Sequence, residues 1–195
     1  MPIGQAKFGL LSGVVGGALE FIDEKTTSGA VNYNFTSIKE AKYNVHLLQI
    51  NNYTSPNGSQ DFGLRFYENG VLETSAVYQY AYQQQGLGGG TYENNETSFD
   101  NIRIDNTGSE QWKQNVNIYF YNLGNSNKFS YCSFKSMPKR MTSGGGYNAA
   151  GTYYTFGGGL LPQASKVDGI QIYNSATTST GGKAKLFGIK EIWYE

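Results

Sequence analysis

Alternating hydrophobic and polar positions are clearest near the C-terminus, where they predict two β-strands joined by a loop. The first strand carries Val167, Ile170 and Ile172, whereas residues 174–182 contain only small and polar side chains and form no apolar face. The second strand alternates, with Ala184, Leu186 and Gly188 on one face and Lys185, Phe187 and Ile189 on the other. This period of two is typical of a half-buried strand, so we expect the C-terminal strand to close a sheet.

The same alternation recurs along the chain and predicts an all-β fold. We expect about eight to ten strands and no amphipathic helix, arranged as an antiparallel, jelly-roll-like β-sandwich. Between the strands the sequence predicts a turn at residues 23–29, loops at residues 83–96 and 136–148, and a tight turn at the glycines of residues 157–159. Residues 68–70, with the sequence Glu-Asn-Gly, predict a hairpin between strands at residues 62–67 and 71–82.

The N-terminal residues 8–19 form an apolar, glycine-rich run, F-G-L-L-S-G-V-V-G-G-A-L. The run resembles a signal peptide in composition and is too short to span a membrane. Because each of its glycines costs a helix about 1 kcal/mol, we interpret the run as an extended arm that stays in the mature chain. The candidate anchoring side chains of this arm are Phe8, Leu10, Leu11, Val14 and Val15.

Such an arm needs a surface to receive it, because ordering its backbone costs at least as much free energy as burying its apolar side chains returns. That surface lies either in the same domain or on a neighbouring subunit. The sequence therefore predicts two parts, an arm at residues 1–19 and a single β-sandwich domain at residues 20–195.

Composition bears on the class of partner. The 15 basic and 15 acidic side chains cancel, which argues against a nucleic-acid partner, since nucleic-acid binding needs clustered basic charge. The 16 tyrosines, 11 phenylalanines and 2 tryptophans suit strands and also protein interfaces. In residues 114–121, Val116, Ile118 and Phe120 alternate with polar and tyrosine side chains and are expected to face inward. The candidate interface aromatics are then Tyr119, Tyr121 and Trp193.

A second set of tyrosines, Tyr78, Tyr80 and Tyr82, shares one face of a strand. If exposed, these rings would form a platform for a sugar or a subunit; if buried, they belong to the core. Glutamines at positions 79 and 83 take the opposite face and favour the core. A small basic loop contains Lys135, Lys139 and Arg140. It is either exposed to solvent or forms an ion-pair contact with an acidic neighbour.

Residues able to carry catalysis are sparse. His46 is the single histidine and Cys132 the single cysteine, and we expect a strand residue with a satisfied ring and a buried packing residue, respectively. The glycines before Lys183 lack the spacing of a phosphate-binding loop. The chain has several carboxylates, but their spacing matches neither a glycosidase pair nor a calcium-binding loop. They are Glu93, Glu96, Asp100, Asp105 and Glu110. We therefore predict no catalytic residues, no metal site and no cofactor.

Several short motifs follow one another along the chain. They are Phe8-Gly9-Leu10-Leu11-Ser12-Gly13, Phe35-Thr36-Ser37-Ile38, Leu64-Arg65-Phe66 with Asn69-Gly70, a tyrosine-rich strand, the polar residues 121–128, Ile170-Gln171-Ile172, and Leu186-Phe187-Gly188-Ile189. Over nearly the full length this layout resembles a family of tailed-bacteriophage virion proteins. The chain departs from that family by running on through residues 190–195, as an extra contact strand or tail.

The resemblance implies a jelly-roll-like sandwich in a phage particle, assembled in the host cytoplasm as a homo-oligomer, with a trimer favoured. A capsid decoration (cement) or head-fibre protein, bound to other virion proteins, fits a small domain with an arm. The alternative is a tail or tail-fibre module that binds host-surface carbohydrate through its loops and exposed tyrosines. An enzyme that cleaves polysaccharide is a third possibility, disfavoured because no acid–base pair is evident. Neither a nucleic acid nor a membrane is an expected partner.

Overall fold

The computed structural model describes residues 19–55, 60–107, 112–141, 147–175 and 179–190, and this part of the chain contains strands and turns without a helix. Thirteen strands follow in order: β1 (Leu19–Ser28), β2 (Tyr33–Phe35), β3 (Val45–Ser55), β4 (Gln60–Glu68), β5 (Val71–Leu72), β6 (Tyr78–Gly86), β7 (Thr91–Phe99), β8 (Ile102–Thr107), β9 (Trp112–Tyr121), β10 (Ser130–Met141), β11 (Tyr147–Leu161), β12 (Val167–Asn174) and β13 (Thr180–Ile189).

The strands form two antiparallel sheets. The larger sheet has eight strands in the order β1-β13-β3-β9-β10-β11-β6-β7, and the smaller has five, in the order β2-β12-β4-β5 with β8 also paired to β4. Strands that follow each other in sequence often belong to different sheets, so the chain crosses repeatedly between the two layers. The predicted antiparallel, jelly-roll-like β-sandwich is therefore confirmed, with thirteen strands rather than eight to ten.

The core lies between the facing sides of the two sheets. The larger sheet supplies alternate residues of its central strands, among them Ile50, Ile118 and Phe120, and the smaller sheet supplies Leu64 and Phe66. Rings from opposite sheets meet directly: the centroids of Tyr53 and Phe62 are 4.8 Å apart, and those of Phe66 and Phe120 are 6.0 Å apart. The inward orientation predicted for Val116, Ile118 and Phe120 is confirmed.

The loop predicted at residues 83–96 is wrong, because these residues form most of the β6–β7 hairpin. Their side chains are polar on both faces, so they show no apolar alternation. The hydrogen bonds of a ladder join backbone groups and need no such alternation. One glutamine is even buried: the Gln84 Nε2 donates to Thr155 Oγ1 at 3.2 Å. Gly89 and Gly90, both at positive φ, make the turn of this hairpin.

The loop predicted at residues 136–148 is wrong at residues 136–141 and 147–148, which belong to β10 and β11, while residues 142–146 lie outside the described residues. The turn predicted at residues 157–159 is also wrong, since these glycines lie within β11. The glycines of residues 157–159 do not form a turn; two of them leave space for side chains of the core. A Cβ on Gly157 would lie 2.6 Å from the Tyr82 Cβ and 2.8 Å from the Phe134 ring, and one on Gly159 would lie 2.5 Å from Ile102. Glycine at these two inward positions makes room for larger side chains on neighbouring strands.

Two further boundaries differ from expectation, whereas one hairpin is confirmed. Residues 23–28, expected in a turn, extend β1, and the strand expected at residues 71–82 is broken into β5 and β6. The hairpin between β4 and β5 turns at Asn69 and Gly70, with φ of 50° and 81°. Two successive positive φ values are the signature of the type I′ turn that Asn-Gly favours.

The C-terminal strand β13 pairs on both sides, with β1 and with β3. Its predicted faces are confirmed, because Ala184, Leu186 and Gly188 are buried while the alternate residues are partly exposed. Gly188 lies beneath the ring of Tyr43, so close that a Cβ would be 2.2 to 2.4 Å from three ring atoms.

Replacing Gly188 by alanine is expected to lower the free energy of unfolding by about 2 kcal/mol, because the methyl group overpacks the site held by the Tyr43 ring. Gly181→Ala is the matched control in the same strand: its Cβ would meet only Thr54 Oγ1, at 4.0 Å, and stability should change by less than about 0.5 kcal/mol. Urea unfolding of both variants measures the difference. Equal midpoints would contradict the close packing of Tyr43 on Gly188.

Candidate interaction surface

Strand register aligns side chains of the larger sheet into rows on its outer face, away from the core. One row runs through Leu19, Ile189, Val45, Tyr121, Tyr131 and Leu160. The next runs through Phe21, Phe187, Leu47, Tyr119, Ser133 and Gly158. Both rows are apolar at the β1 end of the sheet, where a soluble face would carry polar side chains.

We call the apolar end of these rows the β1 patch; it consists of Leu19, Phe21, Val45, Phe187 and Ile189. Leu19 and Phe21 are 49% and 56% exposed, and the other three are partly exposed. The rings of Phe21 and Phe187 meet edge to face at 6.0 Å. Clustered exposed apolar side chains of this kind mark interaction sites more often than isolated ones do. The patch begins at the residue that follows the apolar N-terminal residues 1–18.

Glu20 on β1, next to the patch, ties this strand to neighbouring side chains through hydrogen bonds and ion pairs. Its carboxylate accepts hydrogen bonds from Lys42 Nζ at 2.6 Å, from the Tyr43 hydroxyl and from Lys190 Nζ. These donors, Lys190 foremost, lower the pKa of Glu20 to about 2 from its usual 4.5. A lowered carboxyl pKa favours the folded state above about pH 4.5, and this contribution is lost as the pH falls towards 2.

The opposite edge of the sheet has a different character. Strand β7 is exposed along most of its length and carries Glu93 and Glu96 among amides and hydroxyls. Charged side chains on an edge strand discourage pairing with another chain. The two free edges of the larger sheet are therefore unequal, one bordered by an apolar patch and the other acidic and polar.

The predicted interface aromatics occupy the outer face where they are described. Tyr119 is 39% exposed, and Tyr121 is partly exposed and stacks on Tyr131 at 4.8 Å between centroids. Trp193 and the arm residues Phe8, Leu10, Leu11, Val14 and Val15 lie outside the described residues. The contact roles of all these residues stay predictions.

Other candidates from the sequence belong to the core. Tyr78, Tyr80 and Tyr82 are buried, so the core reading is confirmed for this strand face. Cys132 is also buried, as predicted, and burial raises the pKa of its thiol to about 12. It is therefore a packing residue with an unreactive thiol in the folded state.

His46 lies on the inner face of β3 and is fully buried. Its Nε2 is 2.9 Å from the Ile38 carbonyl oxygen, to which it donates, and its ring meets Tyr43 edge to face at 5.9 Å. The ring donates through one nitrogen, whereas Nδ1 has no hydrogen-bond partner among the described residues. Burial is the main cause that lowers the pKa of His46 below 6.5.

The charged candidates are dispersed. Asp100 pairs with Arg65, Glu93 accepts from Gln83 Nε2 at 2.7 Å, and the side chains of Asp105 and Glu110 lie outside the described part. The basic loop expected around Lys135 is part of strand β10, and the side chains of Lys139 and Arg140 are likewise outside it. Within the described ranges, no three or more histidine, cysteine or acidic side chains are placed to share a metal ion.

The described strands and turns include no helix with the length and apolar character needed to cross a membrane. No model of a known protein family matches the chain, and no curated protein matches it.

Sequence reasoning identified Tyr119 and Tyr121 but missed the β1 patch. Leu19 falls within the predicted arm, and local alternation assigns no face to Phe21. Only the register of β1 against β13 places Phe21 beside Phe187 and Leu19 beside Ile189. Pairing between residues more than 160 positions apart leaves no local signal in the sequence.

Acid is expected to destabilise the fold through His46. Below about pH 6.5 the unfolded chain binds a proton that the buried ring of the folded state resists, so stability falls by up to about 1.4 kcal/mol for each pH unit. His46→Gln retains an N–H donor without a titratable ring, and its stability should change less between pH 8 and pH 5. Chemical unfolding at several pH values tests this, and equal slopes for both proteins would contradict it.

Proposed function

We propose that the protein is a structural component of a tailed-phage virion, a capsid decoration or head-fibre protein that acts through contacts with other virion proteins and with itself. The resemblance of its ordered motifs to tailed-phage virion proteins is the reason for naming this particle. The protein would assemble onto the particle in the host cytoplasm.

The observation that carries a role in protein contacts is the β1 patch. Leu19 and Phe21 expose about half of their surface on a strand whose register is fixed by β13. In the sequence, the apolar residues 1–18 immediately precede Leu19. An apolar patch that begins where an apolar sequence run ends is suited to binding a neighbouring subunit, since burial of each large side chain contributes about 2 kcal/mol.

Repetition over a lattice adds to such contacts. A protein present in many copies, or as the homo-oligomer that the resemblance favours (a trimer), holds each weak contact at high effective concentration. The neutral net charge of the chain is compatible with a surface largely covered in an assembly. These properties support a decoration role more than they support catalysis.

Immunogold electron microscopy of the parent phage tests the location. An antibody against the folded domain should label the head if the protein is a decoration or head-fibre protein. Label confined to the tail would reject the head location and favour the tail module that binds host carbohydrate. No label on intact particles, together with no band on a blot of denatured particles, would reject the virion assignment.

Removing residues 1–18 is expected to abolish attachment to particles while leaving the sandwich folded, because the deletion ends before β1. Phe21→Ser should weaken attachment at least about tenfold, the loss expected when one large apolar contact is removed from an interface. Phe129→Ser is the control, since Phe129 is 51% exposed but lies in the connection between β9 and β10. Co-sedimentation with particles that lack the protein measures attachment, and circular dichroism checks folding.

Full attachment of the truncated protein would contradict the anchoring role of the arm. Equal losses in the Phe21 and Phe129 variants would contradict the role of the β1 patch, because both substitutions remove an exposed aromatic ring of the same size.

A further inference from the structure

A cleft of about 610 Å³ crosses the outer face of the larger sheet, and it begins at Leu47 and Gln49 on β3, beside the β1 patch. Tyr119 on β9 and Phe156 on β11 border it, each 39% exposed. Their backbones are two strands and one row apart, about 12 Å from strand geometry. Ser133 lies between them on β10, beside Tyr119 and next to Gly158, so the sheet surface is low beside the tyrosine ring. The cleft volume is in the range of small-molecule sites.

Polar side chains line the cleft in one register row. Gln49, Asn117 and Lys135 are paired in turn across β3, β9 and β10, and Phe156 follows on β11. Among the described residues, none makes a hydrogen bond or ion pair with the side chains of these three. Two amides and one ammonium group therefore face the cleft with their hydrogen-bonding capacity unused inside the fold.

The geometry points to a binding site for a saccharide that bears a carboxylate. A sugar ring has an apolar C–H face that packs on an aromatic ring, and hydroxyl groups at its edge that need donors and acceptors of the amide type. Tyr119 and Phe156 offer the rings, Gln49 and Asn117 offer the amides, and Lys135 offers an unpaired cation to the carboxylate. This inference is independent of the location of the protein in a particle.

A single-stranded nucleic acid also combines stacking with negative charge, but the cleft suits it less well. Binding a nucleic-acid backbone requires a basic groove with several cations along its length. Lys135 is the one basic residue among those that line this cleft, and the same row continues beyond Phe156 through Gln83 on β6 to Glu93 on β7. A saccharide with one carboxylate per segment presents one negative charge to the single cation of the cleft. A nucleic acid presents a charged phosphate at every nucleotide, and the cleft has no further cation to pair with them.

The surface continues beyond Phe156, which favours an oligosaccharide over a single sugar. A second depression of about 320 Å³ lies on the far side and shares Phe156 and Gly157 with the first. It is lined by the amides of Gln83 and Asn95 and by Glu93, whose carboxylate accepts a hydrogen bond from Gln83 Nε2 at 2.7 Å. Amides again flank the aromatic ring, and the carboxylate lies at the far end. A chain that crosses from β9 towards β7 would contact Phe156 from both sides.

The experiment is titration calorimetry of the full-length protein against carboxylate-bearing oligosaccharides of the uronate, hyaluronate and sialylated types, each beside its methyl-esterified form. We expect at least one acidic oligosaccharide to bind saturably and at least fivefold more tightly than its ester. Lys135→Gln should remove this preference while leaving binding of the ester unchanged. Tyr119→Ser and Phe156→Ser should each weaken binding of both forms about tenfold or more.

Phe129→Ser is the matched control, because it removes an exposed aromatic ring outside the cleft and should bind like the unaltered protein. Unfolding midpoints close to that of the unaltered protein ensure that each variant is folded. Failure of every acidic oligosaccharide to bind at millimolar concentration would overturn the proposal. So would binding that the Tyr119 and Phe156 variants retain, or tighter binding of an oligothymidylate than of any saccharide.

Discussion

The close approach of two sheets around Phe66 is the constraint on which this structure depends. The Phe66 ring lies 6.0 Å from that of Phe120 and 6.1 Å from that of Tyr78, and its backbone N–H donates to the Tyr78 hydroxyl at 2.8 Å. Sheets pack about 10 Å apart, so rings of this size fill the space between them. Glycine at positions such as 157 and 159 then becomes a requirement of packing, since a side chain there would displace an aromatic or branched neighbour.

This constraint explains which parts of the fold were predictable from sequence. Strands with one apolar face, such as those around Phe120 and Leu186, are recognisable from alternation because every second residue is buried in the core. The β6–β7 hairpin and the glycines of β11 are not, because their strand structure comes from backbone pairing, within the hairpin and between β6 and the distant strand β11, and backbone pairing leaves no apolar alternation. A glycine-rich segment locally indicates a turn. Only the aromatic rings that pack against these glycines in the fold show that glycine is needed there because a side chain would not fit.

The outer face shows the same division between local and distant information. The outward orientation of Tyr119 follows from alternation within one strand, but the residues beside it are set by register with β3 and β10. Register places Leu47 on one side of the ring and Ser133 on the other, so one side is packed and the other open. The apolar end of the sheet and its amide-lined middle are thus neighbouring surfaces of different chemistry that meet at Leu47 on β3.

Burial of the single thiol has a practical consequence. Because Cys132 is enclosed and its thiol stays protonated, thiol-directed reagents should pass over the folded chain. A cysteine placed anywhere on the surface would then be the one site that accepts a fluorophore, a spin label or a gold cluster, with no need to remove the native residue. The position of each face relative to a neighbouring molecule becomes directly measurable by distance methods, and modification of Cys132 itself would report the moment at which the sheets separate.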